Sequence, residues 1–360
     1  MGTLDLTLRK GRGALSNAVG RFEPEQREAF DDGWGGFDAA PTPLETRVIV
    51  DSTKTIIARN NSPDIGFDRS INPYRGCEHG CVYCFARPTH AYLGLSPGLD
   101  FESRIFVKPD AAKLLAGELA RPGYVCRPIA MGTNTDPYQP TERKLAITRS
   151  ILDVLQAADH PVCIVTKSAL IQRDIDILAA MAKKRLATVS LSVTTLDRGL
   201  ARTLEPRAAT PERRLETIRA LAEAGIPTGV LAAPMIPALN DAELEAILAA
   251  CRGAGATTAG YVALRLPHEL KTLFREWLEA HVPGRAKHVM SLVTEMHGGK
   301  LYDAQWGRRQ TGTGRYAEVL RIRFELACKR LGFRPSGNAA KLDTTLFRKP
   351  PRAGEQLSLL

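Results

Sequence analysis

From about Ile71 onward, short apolar runs of β type alternate with segments whose apolar residues recur at helical spacing. "RPIAMGTNTD" reads as a strand, and the segment from Thr141 as its helix, with Ile147, Ile151, Val154 and Leu155 on one face. "PVCIVTKS" predicts a second strand, followed by a helix through "IQRDIDILAAMAKKR". "TVSLSVTTLD" predicts a third. Its helix has Thr210 as N-cap, Pro211 in the first turn and Gly225 just past the end. "PTGVLAAPMIP" is a fourth, leading to a helix capped by Asn240 and carrying Leu244, Ile247, Leu248 and Cys251. "TAGYVALRLP" and "HELKTLFREWLEAH" make a last pair, and "SRIFVKPD" reads as an inserted strand. With a short strand leading into "GCEHGCVYC", residues 76–84, there are six β–α units.

Strands buried on both faces and separated by helices imply a parallel sheet with right-handed crossovers. Six such units make either an open sheet or an incomplete barrel, and periodicity does not choose between them. In both, ligands bind at the C-terminal ends of the strands. The pattern divides the chain into an irregular N-terminal arm (1–45), an α/β core (46–280), a basic helical extension (281–340) and a flexible tail (341–360).

Composition narrows the class. The chain has 360 residues, 44% of them hydrophobic, which suits a globular protein. No apolar run is long enough to cross a bilayer, and "MGTLDLTLRKG" lacks the apolar core of a signal peptide, so a reducing cytoplasm is the expected compartment. Seven cysteines are too few for a disulfide scaffold, so clustered thiols suggest metal. Net charge is +10 and unevenly placed: residues 300–341 hold ten Lys or Arg against three acids, while residues 1–45 hold eight acids and five bases. A basic zone of this kind attracts phosphate backbones or other anions, or is a solvated helix face.

The predicted strand ends carry ligand-type side chains at five of six positions. They are the Cys77, Cys81, Cys84 loop; Thr133, Asn134, Thr135 and Asp136; Thr166, Lys167 and Ser168; Ser192, Thr194, Thr195 and Asp197; and Arg265 with His268. The remaining exit passes through Pro234 and Pro237. Three thiolates on a compact, glycine-bordered loop suit an iron–sulfur cluster with one iron left for another ligand. The alternative is a closed Cys3His zinc site, with His79 or His90 as the fourth ligand.

The spacing C-x3-C-x2-C with Tyr83 before the last cysteine resembles the signature of the radical S-adenosylmethionine (SAM) superfamily. "SINPYRGCEHGCVYCFARPTHAYLG", "GTNTDPYQPTE", "EPRAATPERRLETIRALAEAGIP" and "APMIPALND" resemble its spore photoproduct lyase-like branch, over about residues 45–335. The resemblance implies a partial (β/α)6 TIM-like barrel with a [4Fe–4S] cluster on Cys77, Cys81 and Cys84. It also implies that SAM chelates the fourth iron and that an external one-electron donor of flavodoxin or ferredoxin type drives its cleavage to a 5′-deoxyadenosyl radical. Lys167, Ser192 and Thr194, together with Thr135, Asp136 and Arg207, are the implied SAM contacts. Each also has a plain structural reading: a strand-end lysine, packed strand residues, a turn, and an Arg207–Glu205 surface pair.

The lyase of that branch returns a hydrogen atom from a cysteine beyond the second core strand, and Thr133–Asp136 contains none. The reaction class therefore carries over without the substrate. Nucleic acid is the expected partner. The basic zone interleaves Tyr302, Trp306, Tyr316, Phe324 and Phe333 with arginines, although Tyr316, Leu320, Phe324, Ala327 and Leu331 equally fit one buried helix face. Gln356–Leu360 resembles a sliding-clamp-binding peptide behind a Pro-rich lead-in. The rival readings are a radical enzyme acting on a metabolite or peptide, and a non-enzymatic iron–sulfur or zinc protein that binds nucleic acid.

Overall fold

The computed structural model of the chain describes residues 9–23, 44–334 and 341–351. Among these residues ten strands form two sheets: β1 (Arg47–Val50), β2 (Ile57–Arg59), β3 (Arg69–Ile71), β4 (Tyr74–Arg75), β5 (Arg104–Val107), β6 (Ile129–Met131), β7 (Val162–Thr166), β8 (Ala187–Ser192), β9 (Thr228–Met235) and β10 (Thr258–Ala263). The larger sheet runs β10-β9-β8-β7-β6-β3-β2, parallel throughout except where β2 turns back antiparallel on β3. Six parallel strands with helical crossovers give the incomplete barrel. Met131, Ile164 and Val189 lie side by side in register and are all buried, because a sheet covered on both faces must be apolar on both.

"SRIFVKPD" does form a strand, but outside the barrel. β5 pairs with β1 and β4 in a three-stranded sheet, and β4 leads directly into residues 76–84. The helix expected from Thr141 is broken: Glu142–Leu145 and Ile147–Ala157 flank Ala146, whose φ is 50°. The cause is Glu142, fully buried, which accepts from the Thr148 N–H and bonds Tyr74 and Arg173. Thr210 caps its helix as expected, accepting from the Arg213 N–H. Asn240 does not cap. Its amide donates to the carbonyls of Thr194 and Pro234 and accepts from the Ile236 N–H, which fixes the exit of β9.

The C-terminal helices, Pro283–Met296 and Gly314–Leu331, pack on the outside of the barrel. Tyr316, Leu320, Phe324, Ala327 and Leu331 face the core, so plain packing accounts for that stripe. Residues 341–351, expected to be loose, lie against the N-terminal ends of the strands. The Asp343 N–H donates to Arg185 O, the Arg348 N–H to Ala158 O, and the Phe347 ring contacts Tyr124 and His160. Gln356–Leu360 falls outside the described residues. Among the described residues, no helix is long and apolar enough to cross a membrane.

Candidate active site

The cysteine loop is held from below before it holds anything itself. Cys77 N–H donates to Phe101 O at 2.9 Å and Val82 N–H to Leu204 O at 3.0 Å. Arg87, fully buried, donates to the carbonyls of Cys81 (2.8 Å), Gly80 (3.1 Å), Pro97 (3.1 Å) and Gly98 (2.9 Å), and pairs with Glu102. The same Glu102 accepts the N–H groups of Gly13 and Ala14, so it clamps the N-terminal arm against the loop. The fit there is close: a Cβ on Gly13 would lie 1.8 Å from Gly80 O.

Above the loop, the C-terminal strand ends open into a cavity of about 950 Å³, including its mouth. Cys77, Cys81, Cys84, Tyr83, Thr135, Asp136, Lys167, Ser192 and Arg265 line it. Of the residues implied as SAM contacts, Thr194 and Arg207 do not. Thr194 is buried beneath, bonded to Glu205 at 2.6 Å. Arg207 braces the loop from its side, pairing with Glu78 at 3.2 Å and donating its N–H to His79 O, and it makes no pair with Glu205.

Bonding capacity separates those that remain. Thr135 donates to Gly76 O and accepts from Gln139. Asp136 accepts from Thr166, Tyr138 N–H and Lys167 N–H, with His79 Nδ1 at 3.4 Å. Burial works against its ionisation, yet these neighbours hold its pKa down at about 2. Ser192 accepts from Lys167 and donates to Ala233 O. Lys167 keeps free donors: Nζ bonds Ser192 at 2.8 Å and stands 4.0 Å from Glu205, and burial lowers its pKa.

The sequence put Glu205 in a surface pair with Arg207, made Thr194 a SAM contact and gave Arg214 no role, whereas all three belong to a buried set that supports this floor. Glu205 takes hydrogen bonds from Tyr83 and Thr194 and pairs with Arg214, which also donates to Ser192 O at 2.9 Å. No local signal marks the pair: Arg214 lies in a helix with six charged residues of thirteen, and Glu205 just past the end of a short helix, so only the folded chain shows that both are buried.

The three thiols fit a cluster better than a lone ion. Burial raises the pKa of all three, so each needs a cationic partner in order to ionise there. The histidines that would close a zinc site are turned elsewhere: His79 toward Asp136, and His90 Nε2 onto Arg104 O at 3.0 Å. Among the described residues, no three His, Cys, Asp or Glu side chains group around a single-ion site.

The family model of the radical SAM superfamily matches residues 71–251, half of the chain. This chain belongs to the radical SAM superfamily. A radical SAM enzyme carries a [4Fe–4S] cluster and SAM, and the match spans the cysteine loop and the strand ends through β9. Uncharacterized proteins of Mycobacterium tuberculosis and Mycobacterium bovis are each 39% identical over 220 residues, 61% of this chain and 65% of their own length. The matched part thus spans less than two thirds of those relatives. Spore photoproduct lyase complexed with a dinucleoside spore photoproduct superposes with a TM-score of 0.55 at 15% identity, covering 80% of each chain. That likeness shows the shared fold.

Proposed function

We propose that this radical SAM enzyme takes a hydrogen atom from a nucleic acid, in repair or modification of it. The observation that carries the reading is the charge at the cavity mouth. Arg265 lines the cavity, and the loop that follows the Pro283–Met296 helix sets Arg309 close enough to act on it, with Arg308 and Trp306 exposed on that same loop. That loop is anchored there by Ala263 N–H donating to Gln310 O at 2.7 Å, and by Arg309 pairing with Asp64. Such a rim suits a phosphate backbone beside a stacked base. The fold shared with a lyase solved in complex with a dinucleoside photoproduct supports the same reading.

Within this reading, Cys77, Cys81 and Cys84 hold the cluster, and Lys167 offers its free donors to the SAM carboxylate in a shielded site. Asp136, Thr135 and Ser192 fix the position of Lys167 and of the loop. When bound and reduced by an external one-electron donor, the cluster and SAM supply a carbon radical able to abstract hydrogen. The apolar walls of the cavity, Val165, Leu231 and Val262 among them, limit the water that quenches such chemistry. Among the described residues no fourth cysteine lines the cavity, so hydrogen return by a spare thiol, as in the lyase, is not part of this proposal.

The test is anaerobic reconstitution. We expect about four irons per chain, with reductive SAM cleavage that vanishes in Cys81→Ala, and binding to single-stranded DNA that weakens steeply with salt. SAM cleavage without any salt-dependent DNA affinity would move the substrate to a metabolite or peptide. Tight zinc without cleavage would remove the enzyme reading.

A further inference from the structure

Arg265 stands apart from every other arginine around the cavity. It follows β10 by two residues, faces the cavity, and its Nε is buried with no hydrogen-bond partner. Among the described residues no carboxylate lies within ion-pair distance of it. Burial lowers its pKa, and the acid that acts on it, Asp64, is already taken by Arg309 and by the Gly307 N–H at 2.6 Å. Tyr302 and Cys84 also act on it, and Arg309 opposes. A guanidinium partly withdrawn from water without a carboxylate partner loses solvation that a bound anion would restore.

The group is also held in position. Its guanidinium carbon sits 4.6 Å over the ring of Phe85, the residue directly after Cys84. Phe85 remains 45% exposed, so a flat face is available beside the charge. A guanidinium seated over a ring has less freedom than one in solvent, and a restricted fork suits an anion that offers two oxygens. Lys167, the other cation lining the cavity, follows β7. In the sheet order β7 lies three strands from β10, so the two cations enter the cavity from different walls. With SAM's carboxylate on Lys167, Arg265 is left to a different molecule.

We infer that Arg265, seated on Phe85, is the substrate's anion anchor, and that it binds a phosphate of a nucleotide whose base lies against Phe85. The naming of the anion as a nucleotide phosphate rests on the nucleic-acid reading above; the anchor itself does not.

The experiment uses cluster-reconstituted enzyme with SAM bound, in native, Arg265→Gln and Arg265→Lys forms. Inorganic phosphate is the first probe, read by calorimetry. Native enzyme should bind it about tenfold or more tighter than Arg265→Gln, since a charge-assisted bidentate pair is lost. Arg265→Lys, which keeps the charge without the fork, should fall between them. Iron content and SAM affinity should not change in either variant. Phosphate affinity unaltered by Arg265→Gln would overturn the anchor, and so would a parallel fall in SAM affinity, which would give the arginine to the cofactor.

The second probe compares the dinucleotide thymidylyl-thymidine with thymidine. Native enzyme should favour the dinucleotide about tenfold, Arg265→Gln should bind both alike, and Phe85→Leu should weaken both. If phosphate depends on Arg265 while neither thymidine ligand binds, the anchor stands and the nucleotide assignment fails. If the dinucleotide binds native and Arg265→Gln enzyme equally, the anchor fails whatever the substrate.

Discussion

Replacing Glu102 by Gln tests whether one buried carboxylate joins the arm to the cysteine loop. Glu102 is fully buried and serves three partners: Arg87, and the N–H groups of Gly13 and Ala14. A glutamine of the same shape keeps one acceptor oxygen and turns its amide toward donors. Arg87 stays buried and charged while losing the one carboxylate it pairs with among the described residues. Breaking a buried pair on one side costs about 3–5 kcal/mol. At roughly 2 °C per kcal/mol for a chain of this size, the unfolding midpoint should drop by about 6–10 °C.

Thermal unfolding by circular dichroism at a fixed scan rate measures this, with Arg213→Ala as control. That residue pairs with Glu216 at the surface and should move the midpoint by about 1 °C or less. In the double variant Arg87→Met/Glu102→Gln the stranded charge is gone, so part of the loss should return. The carbonyls of Gly80, Cys81, Pro97 and Gly98 would still lack a donor, so recovery should be incomplete. Glu102→Gln unfolding alongside the control, or a double variant worse than the two single losses combined, would refute the reasoning.

Lys167→Met keeps the volume and removes the free donors, so SAM affinity should fall about tenfold or more at unchanged iron content; equilibrium binding to reconstituted enzyme checks it, and unaltered affinity would reassign the carboxylate. Gly132→Ala should destabilise the protein by about 1–3 kcal/mol in denaturant unfolding, because Gly132 has φ +90° and a Cβ would lie 1.9 Å from Val165 O. Acid sensitivity should trace in part to His160, whose Nδ1 donates to Pro161 O and whose Nε2 accepts from Tyr124, with burial lowering its pKa to about 4. Between pH 6.5 and 4 the unfolded chain takes up the proton first, so stability falls with pH, by up to about 3 kcal/mol below pH 4. Comparing His160→Asn with native protein from pH 7 to 4 should show the gap between their stabilities narrowing. Parallel curves would remove His160 from the account.

The sequence by itself determined the order of strands and helices, the rim on which ligand-type side chains collect, and the three thiols. These follow from local rules: apolar periodicity, the Thr210 cap, and the C-x3-C-x2-C spacing. Tertiary structure decided the partners. Arg207 sits beside Glu205 in the chain yet pairs with Glu78, while Glu205 is paired with Arg214 inside the fold. "SRIFVKPD" was legible as a strand, but only the folded chain shows it outside the barrel, supporting the entry to the cysteine loop. Likewise Arg265 was visible as a strand-end cation, and its lack of a counter-ion was not. Spacing along a chain reports which backbone conformation a segment adopts. Which charges meet in the interior, and which are left without a partner, depends on contacts between residues far apart in sequence, where the cost of burying a charge selects the pairing.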